Sequence, residues 1–191
     1  YPDADPETTT VDGSARRSGV DQTFAAIRSG AGTNVQTTTA SAVAAHLVAT
    51  ATTNQYERIV RGLFLFDSST IASGDSISSA VLSLYGTAKG NGLGAAEIDV
   101  VTSAPATNTN LVAADYGTLG TTPLASITYA SWSTSAYNDF TLAAGDVTKA
   151  GITKLGTRLN WDTDNSFGGT WANGAQTFFS CYFADQAGTT N

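Results

Sequence analysis

The segment 59–67, Ile-Val-Arg-Gly-Leu-Phe-Leu-Phe-Asp, constrains the fold more than any other stretch. Side chains alternate between the two faces of a strand. Val60, Phe64 and Phe66 therefore fall on one face and Ile59, Leu63 and Leu65 on the other. A short run that is apolar on both faces suits a central strand covered on both sides. A turn at Ser73-Gly74-Asp75 follows, and then a second strand in which Ala80, Leu82 and Leu84 alternate with Val81, Ser83 and Tyr85.

The same period predicts strands at 23–28, 43–50, 97–102, 137–142, 154–161 and 178–184. The 43–50 segment is rich in Ala and also reads as a helix; Thr at both ends and the lack of a cap favour a strand. Lys89-Gly90-Asn91-Gly92 marks a turn, since Asn-Gly is a strong turn signal. Two short helical stretches are predicted, at 111–116 after Asn108 and Asn110 as candidate caps, and at 143–150 before Gly151. The Thr-rich 33–41 segment reads as a solvated loop. Residues 1–13, with Asp3, Asp5, Glu7, Asp12 and two prolines, read as an extended arm or edge. Turns spaced every 8–12 residues or so signal a sandwich. The expected fold is all-β, a jelly roll or β-sandwich of two antiparallel sheets with one or two short helical turns. Residues 1–191 read as one domain, long enough to bury its own core without disulfide or zinc.

Composition narrows the partners. Charged residues are 13% of the chain, so the surface must be tiled with its 30 Thr and with Ser, Asn and Gly. Such surfaces are typical of extracellular, cell-surface and virion-surface proteins, and 41% hydrophobic content argues against intrinsic disorder. Nine scattered basic residues against sixteen acidic ones do not make a nucleic-acid footprint and disfavour an anionic membrane. No run of 18 apolar residues is present, so no membrane-inserted helix is expected. The chain lacks Met and starts at Tyr1, and so reads as a processed or excerpted piece.

No catalytic constellation is recognised. A Ser or Cys nucleophile needs a base, and the one histidine, His46, lies mid-strand. The one cysteine, Cys181, sits in an aromatic strand and reads as a buried thiol. One Cys and one His exclude a Cys/His zinc site. Calcium is the candidate metal, because it takes oxygen ligands from loops: Asp162 and Asp164 alternate before Gly168-Gly169, and Asp12 and Asp185 are further candidate ligands. The stretch 161–171 is a long loop rimmed by tryptophans. Trp161, Asp164, Asn165 and Trp171 are its candidate ligands for a polysaccharide; the competing reading makes the tryptophans core plugs.

The stretch Arg61-Gly-Leu-Phe-Leu-Phe-Asp67, a loop containing Gly74, and Ala80-Val-Leu82-Ser-Leu84-Tyr85 resemble the DNRLRE-type domains. That pattern is an Arg-led strand ending in Phe-Asp, then an Ala-x-Leu-x-Leu-Tyr strand. The resemblance implies a β-jelly roll in secreted multidomain microbial proteins, some relatives being carbohydrate-binding modules. Stretches 10–13, 53–56, 137–142 and 184–190 resemble a subgroup found in environmental and phage-derived sequences, from which no ligand site carries over. Arg61 and Asp67 are expected to be structural, tying loops to strand ends. Domains of this kind close with one more strand beyond the position matching Thr190. The resemblance therefore implies that parts of the first and last strands are trimmed, or are completed by another chain. The expected function is a structural or adhesive module of an extracellular appendage, filament or phage particle, associating with itself or neighbouring structural chains through sheet edges. The alternative is a carbohydrate-binding module of a secreted multidomain protein.

Overall fold

The structure, a computed structural model, describes residues 1–186. Ten strands follow in chain order: β1 (Asp12–Gln22), β2 (Asn34–Gln36), β3 (Ser41–Ala49), β4 (Tyr56–Asp67), β5 (Ala80–Asn91), β6 (Glu97–Thr102), β7 (Ala125–Thr128), β8 (Tyr137–Leu142), β9 (Ile152–Leu159) and β10 (Gln176–Tyr182). Two short helices, α1 (Phe24–Ser29) and α2 (Asn160–Thr163), and 3-10 turns at Ala113–Gly117 and Ala144–Asp146 join them. All strand pairs are antiparallel, in the order β7-β6-β9-β4-β3-β10-β5-β8, with β1 on β4 and β2 on β1. The strands curl into a nearly closed, barrel-like sandwich, the all-β jelly-roll-like fold that the 59–67 segment and its neighbours predict.

β4 is the central strand. Every residue from Ile59 to Leu65 is buried. β1 runs along one edge of β4, from Asp12 opposite Phe64 to Gln22 opposite Tyr56. Along the other edge β3 pairs with the first half and β9 with the second. Gly62 stands at this handover. A Cβ there would overlap Thr157 Oγ1, which donates a 2.8 Å hydrogen bond to the Ala44 carbonyl and so ties β9 to β3.

Several local expectations are corrected. The segment 23–28, expected as a strand, falls on α1 (Phe24–Ser29) and its cap instead. Thr23, in an extended conformation, caps the helix by accepting a hydrogen bond from Ala26 N at 3.2 Å. Phe24 and Ile27, three apart, then share the face that packs on the core. Six residues are too few for periodicity to separate the two readings. β5 runs on to Asn91, and the turn moves to Gly92–Gly94, where Gly94 takes φ +112°. Within the expected 33–41 loop, 34–36 form β2. The expected helix at 143–150 reduces to one 3-10 turn, Ala144–Asp146, in which the Asp146 carboxylate accepts from Ala143 N at 2.8 Å. β9 stops at Leu159, so Trp161 lies in α2. β1 and β7 have no counterpart in the sequence reading.

Candidate functional site

Asp162 is the first surprise. α2 begins as β9 ends and turns this carboxylate inward, where it is 2% exposed. Arg61 Nε and Nη2 donate to its two oxygens at 2.7 Å each. Arg158 Nε and Nη2 donate to the same two oxygens at 2.9 and 2.8 Å. Arg28 donates to the Asp162 carbonyl at 2.6 Å and stands 3.5 Å from Oδ1. Four guanidinium bonds fill the lone-pair sites of one carboxylate. Burial would raise the Asp162 carboxyl, but Arg61 and Arg158 outweigh it and hold it below the ordinary carboxylate range. Burial opposes the charge on Arg61, yet Asp162 keeps its pKa above the usual value. The expected role of Asp162 as a calcium ligand is therefore corrected: its oxygens are already taken by cations.

Asp164 is exposed and caps α2 with its backbone N–H. Asn165, also exposed, takes φ +56°. Among the described residues no group of three or more His, Cys, Asp or Glu side chains is arranged to hold a metal. Asp67 is exposed at the end of β4 and accepts from Ser69 N at 2.9 Å, so it shapes the loop after its strand. Arg61 is instead a mid-strand anchor. Its Nη1 donates to Tyr116 O at 2.5 Å, its Nη2 to Arg28 O at 3.0 Å, and its guanidinium lies 3.8 Å above the Tyr116 ring centre.

The Trp-rimmed platform is also corrected. Trp161 is buried under its own loop: Phe167 packs edge-on at 5.0 Å, and Gly168 and Gly169 approach the indole closely enough that a Cβ would crowd it. Trp171 is half-buried and donates to Gln55 O at 3.2 Å. Trp132 is buried against Phe140 and Phe179. Two buried tryptophans and one half-buried against the core leave no pair facing a ligand.

His46 is buried, bonds Gln176 Oε1 at 2.9 Å and packs edge-on against Phe178; burial, with Arg58 nearby, pushes it down to about 4 despite the Gln176 bond. Cys181 is fully buried, and burial pushes its thiol far above the ordinary range.

The feature with room for a ligand lies elsewhere. β5 pairs with β10 only over its second half, the last pair being Cys181 with Gly86. Its first half, 80–85, pairs with β8. Among the described residues no strand pairs with the opposite edge of that half. β1 leaves β4 at Phe64, after which Leu65 N donates to Val11 O at 3.1 Å. A groove lies between, in two adjoining lobes of about 400 and 440 Å³ that share Tyr1, Phe66 and Ser83. All six consecutive residues 80–85 line it, which is the mark of an exposed strand edge, because a strand seen face-on shows only alternate residues. Phe64 and Phe66 form its apolar wall, and Phe183 stacks on Phe64 at 5.2 Å. At one rim Tyr182, Tyr85 and Tyr137 stand on three adjacent strands with ring centres 5.5 and 5.2 Å apart.

The two ends of the described chain meet at this groove. Asp12, which lines it, accepts from Ala184 N at 2.8 Å, and Asp5 N donates to Asp185 Oδ1 at 2.7 Å. Burial, reinforced by Asp185 and Glu7 and opposed by the Ala184 N–H, pushes Asp12 up to about 7. The candidate ligands Asp12 and Asp185 thus share a site, but as anchors for chain termini. Sequence reasoning missed Tyr137, Tyr182 and Phe64 as neighbours. Only the Tyr85 to Tyr137 pairing, set by β5–β8 register, had a trace in the alternation. Comparison with protein-family models, curated proteins and solved structures finds no match for this chain.

Proposed function

We propose that the chain is a non-catalytic structural or adhesive module of an extracellular appendage, filament or phage particle, of the DNRLRE type, that assembles through its open sheet edge. The groove along 80–85 carries the reading. An unpaired strand edge presents a row of backbone donors and acceptors, and an extended segment of another chain completes it by strand addition. Six residues at ~3.3 Å each give an edge of roughly 20 Å, enough for a short added strand. The apolar wall of Phe64 and Phe66 supplies pockets for alternate side chains of the incoming strand. The surface, poor in charge and rich in Thr, supports an exterior setting, and the burial of His46 and Cys181 supports the non-catalytic one.

Sedimentation and electron microscopy over a concentration series test this. Assembly is expected to grow with concentration and to be lost in Val81→Lys and Ser83→Lys, which place a charge on the edge. A wild-type chain that stays monomeric throughout overturns the reading.

The Tyr182–Tyr85–Tyr137 strip favours a second reading, a carbohydrate-binding module. Tyr137 is 45% and Tyr182 38% exposed, and flat exposed rings beside the hydroxyl and carboxylate of Ser83 and Asp139 suit a sugar face. In this reading the sugar platform is tyrosine, not tryptophan.

A further inference from the structure

We infer that the groove receives the far end of a second copy of this chain, so that copies join head to tail; this rests on the assembly reading above. β1 sets the geometry. Asp12, at its start, lines the groove, and Val20, near its end, lies eight residues on, ~26 Å away at strand rise. There the β1–β4 register breaks. Ser18 pairs with Arg58 and Gln22 with Tyr56, so residues 19–21 bulge opposite Glu57 alone. Val20 sits on this bulge at 85% exposure, the highest among the large exposed hydrophobics. The bulge is fixed, not loose: Asp21, at φ +48°, accepts from Thr50 Oγ1 at 2.6 Å and from Thr52 Oγ1 at 2.9 Å.

Charge says which surface meets which. At the groove end Asp12 lines the cleft and Asp3, Asp5, Glu7 and Asp185 stand on the chain ends that flank it; no Lys or Arg lines either lobe, although Lys149 and Lys154 stand on segments beside it. Near the bulge, Arg16 and Arg58 lie on the same face of adjacent strands. The Nε groups of both are buried without a hydrogen-bond partner. Among the described residues the one acid within 4 Å of either is Glu57, 3.8 Å from Arg58, and the Asp21 carboxylate on the bulge is held by Thr50 and Thr52. An acidic, apolar cleft at one end and an apolar knob beside two underused arginines at the other are complementary between copies. They lie too far apart to meet within one. A contact between two different patches is heterologous, and such contacts repeat into filaments unless the rotation closes a ring. In this contact Val20 enters the Phe64–Phe66 side of the groove, and Arg16 and Arg58 face the acidic arm of the neighbour.

The test uses Arg16→Glu/Arg58→Glu and, separately, Val20→Glu, all at exposed or half-exposed positions, with unfolding midpoints checked against wild type. Wild-type assemblies are expected to weaken at about 0.5 M salt, where charges are screened beyond ~4 Å. Each variant is expected to raise the critical concentration for assembly at least tenfold. Each retains its groove, so a substoichiometric amount mixed with wild type is expected to cap and shorten wild-type polymers. Polymers that form equally well in both variants, while still lost in Ser83→Lys, overturn the head-to-tail inference and leave the edge reading standing. A wild-type chain that never assembles overturns the edge reading itself.

Discussion

Arg61 and Asp162, 101 residues apart in the chain, form a buried bidentate ion pair with both bonds at 2.7 Å. The pair fastens the central strand β4 to the short helix that follows β9. Arg158 repeats the same fork from one turn away, at i,i+4. Three guanidiniums thus gather around one carboxylate, and that carboxylate is what keeps them from repelling one another.

Asp162→Asn is expected to destabilise the fold by about 3–5 kcal/mol, because it strands buried cations without a counter-charge. Arg61→Lys keeps the charge but loses the fork, and a smaller loss is expected. Urea unfolding followed by tryptophan fluorescence measures both. An unchanged midpoint in Asp162→Asn would show that the cluster is not an anchor. The Asp162 carboxyl is held below its unfolded value, so its contribution is complete at neutral pH and is lost as pH falls through the folded pKa.

Asp12 and His46 titrate in opposing senses. Asp12 rises from 3.8 to about 7 on folding, so the stability it contributes is complete below pH 3.8 and is lost as pH rises toward 7. His46 falls from 6.5 to about 4, so stability is lost as pH drops from 6.5 toward 4. Between about pH 4 and 6.5 the two slopes, each ~1.4 kcal/mol per pH unit at most, offset each other. Asp12→Asn is expected to become steadily more stable than wild type as pH rises through this window. His46→Gln is expected to become less stable relative to wild type over the same rise. Parallel denaturation curves at pH 4.5, 5.5 and 6.5 read the difference, and variants that keep a constant offset from wild type would contradict it.

Gly86 sits where β5 passes from β8 to β10. A Cβ there would overlap the Ser133 carbonyl oxygen and press on Trp132 Nε1 and Asn138 Nδ2 at 2.8 Å. Asn138 binds the same loop, accepting from Ser133 N at 2.7 Å and donating to Ser133 O at 3.0 Å. Gly86→Ala is expected to cost about 1–3 kcal/mol, since backbone and a buried indole have little room to yield. Thermal unfolding of the variant checks this, and an unshifted midpoint refutes it.

Trp161 and the tyrosines separate stability from recognition. Trp161→Ala removes a buried ring and is expected to cost about 3–5 kcal/mol. Tyr137→Ala and Tyr182→Ala remove half-exposed rings, and their midpoints are expected to move much less. Retention on immobilised polysaccharides, compared across the three, tests the second functional reading. Binding that survives both tyrosine changes rejects the tyrosine platform.

The fold was largely legible from particular residues. The run 59–67, apolar on both faces, is buried from Ile59 to Leu65, and Tyr137–Leu142 alternates exposed and buried without a break. What failed was short or polar. Residues 23–28 satisfied two periods at once, and the hydroxyl of Thr23 decided between them. β1 escaped notice because Ser14, Arg16 and Ser18 carry no apolar signal; its strand exists because β4 offers it an edge. The candidate site was barely legible. Trp161 stood out as a sugar ligand and Asp162 as a calcium ligand because large rings and carboxylates on a loop look exposed in one dimension.

By itself the sequence determined the class of fold, through alternation, a doubly apolar central strand and regularly spaced turns, because side-chain period is a local property that burial enforces. Only the tertiary structure decided which residues meet. It sent Asp162 inward to three arginines from distant segments, folded a loop over Trp161, and brought Asp12 beside Ala184. It also left the edge of 80–85 unpaired among the described residues. Those outcomes depend on strand order and register, which are set by long-range pairings that no local pattern encodes.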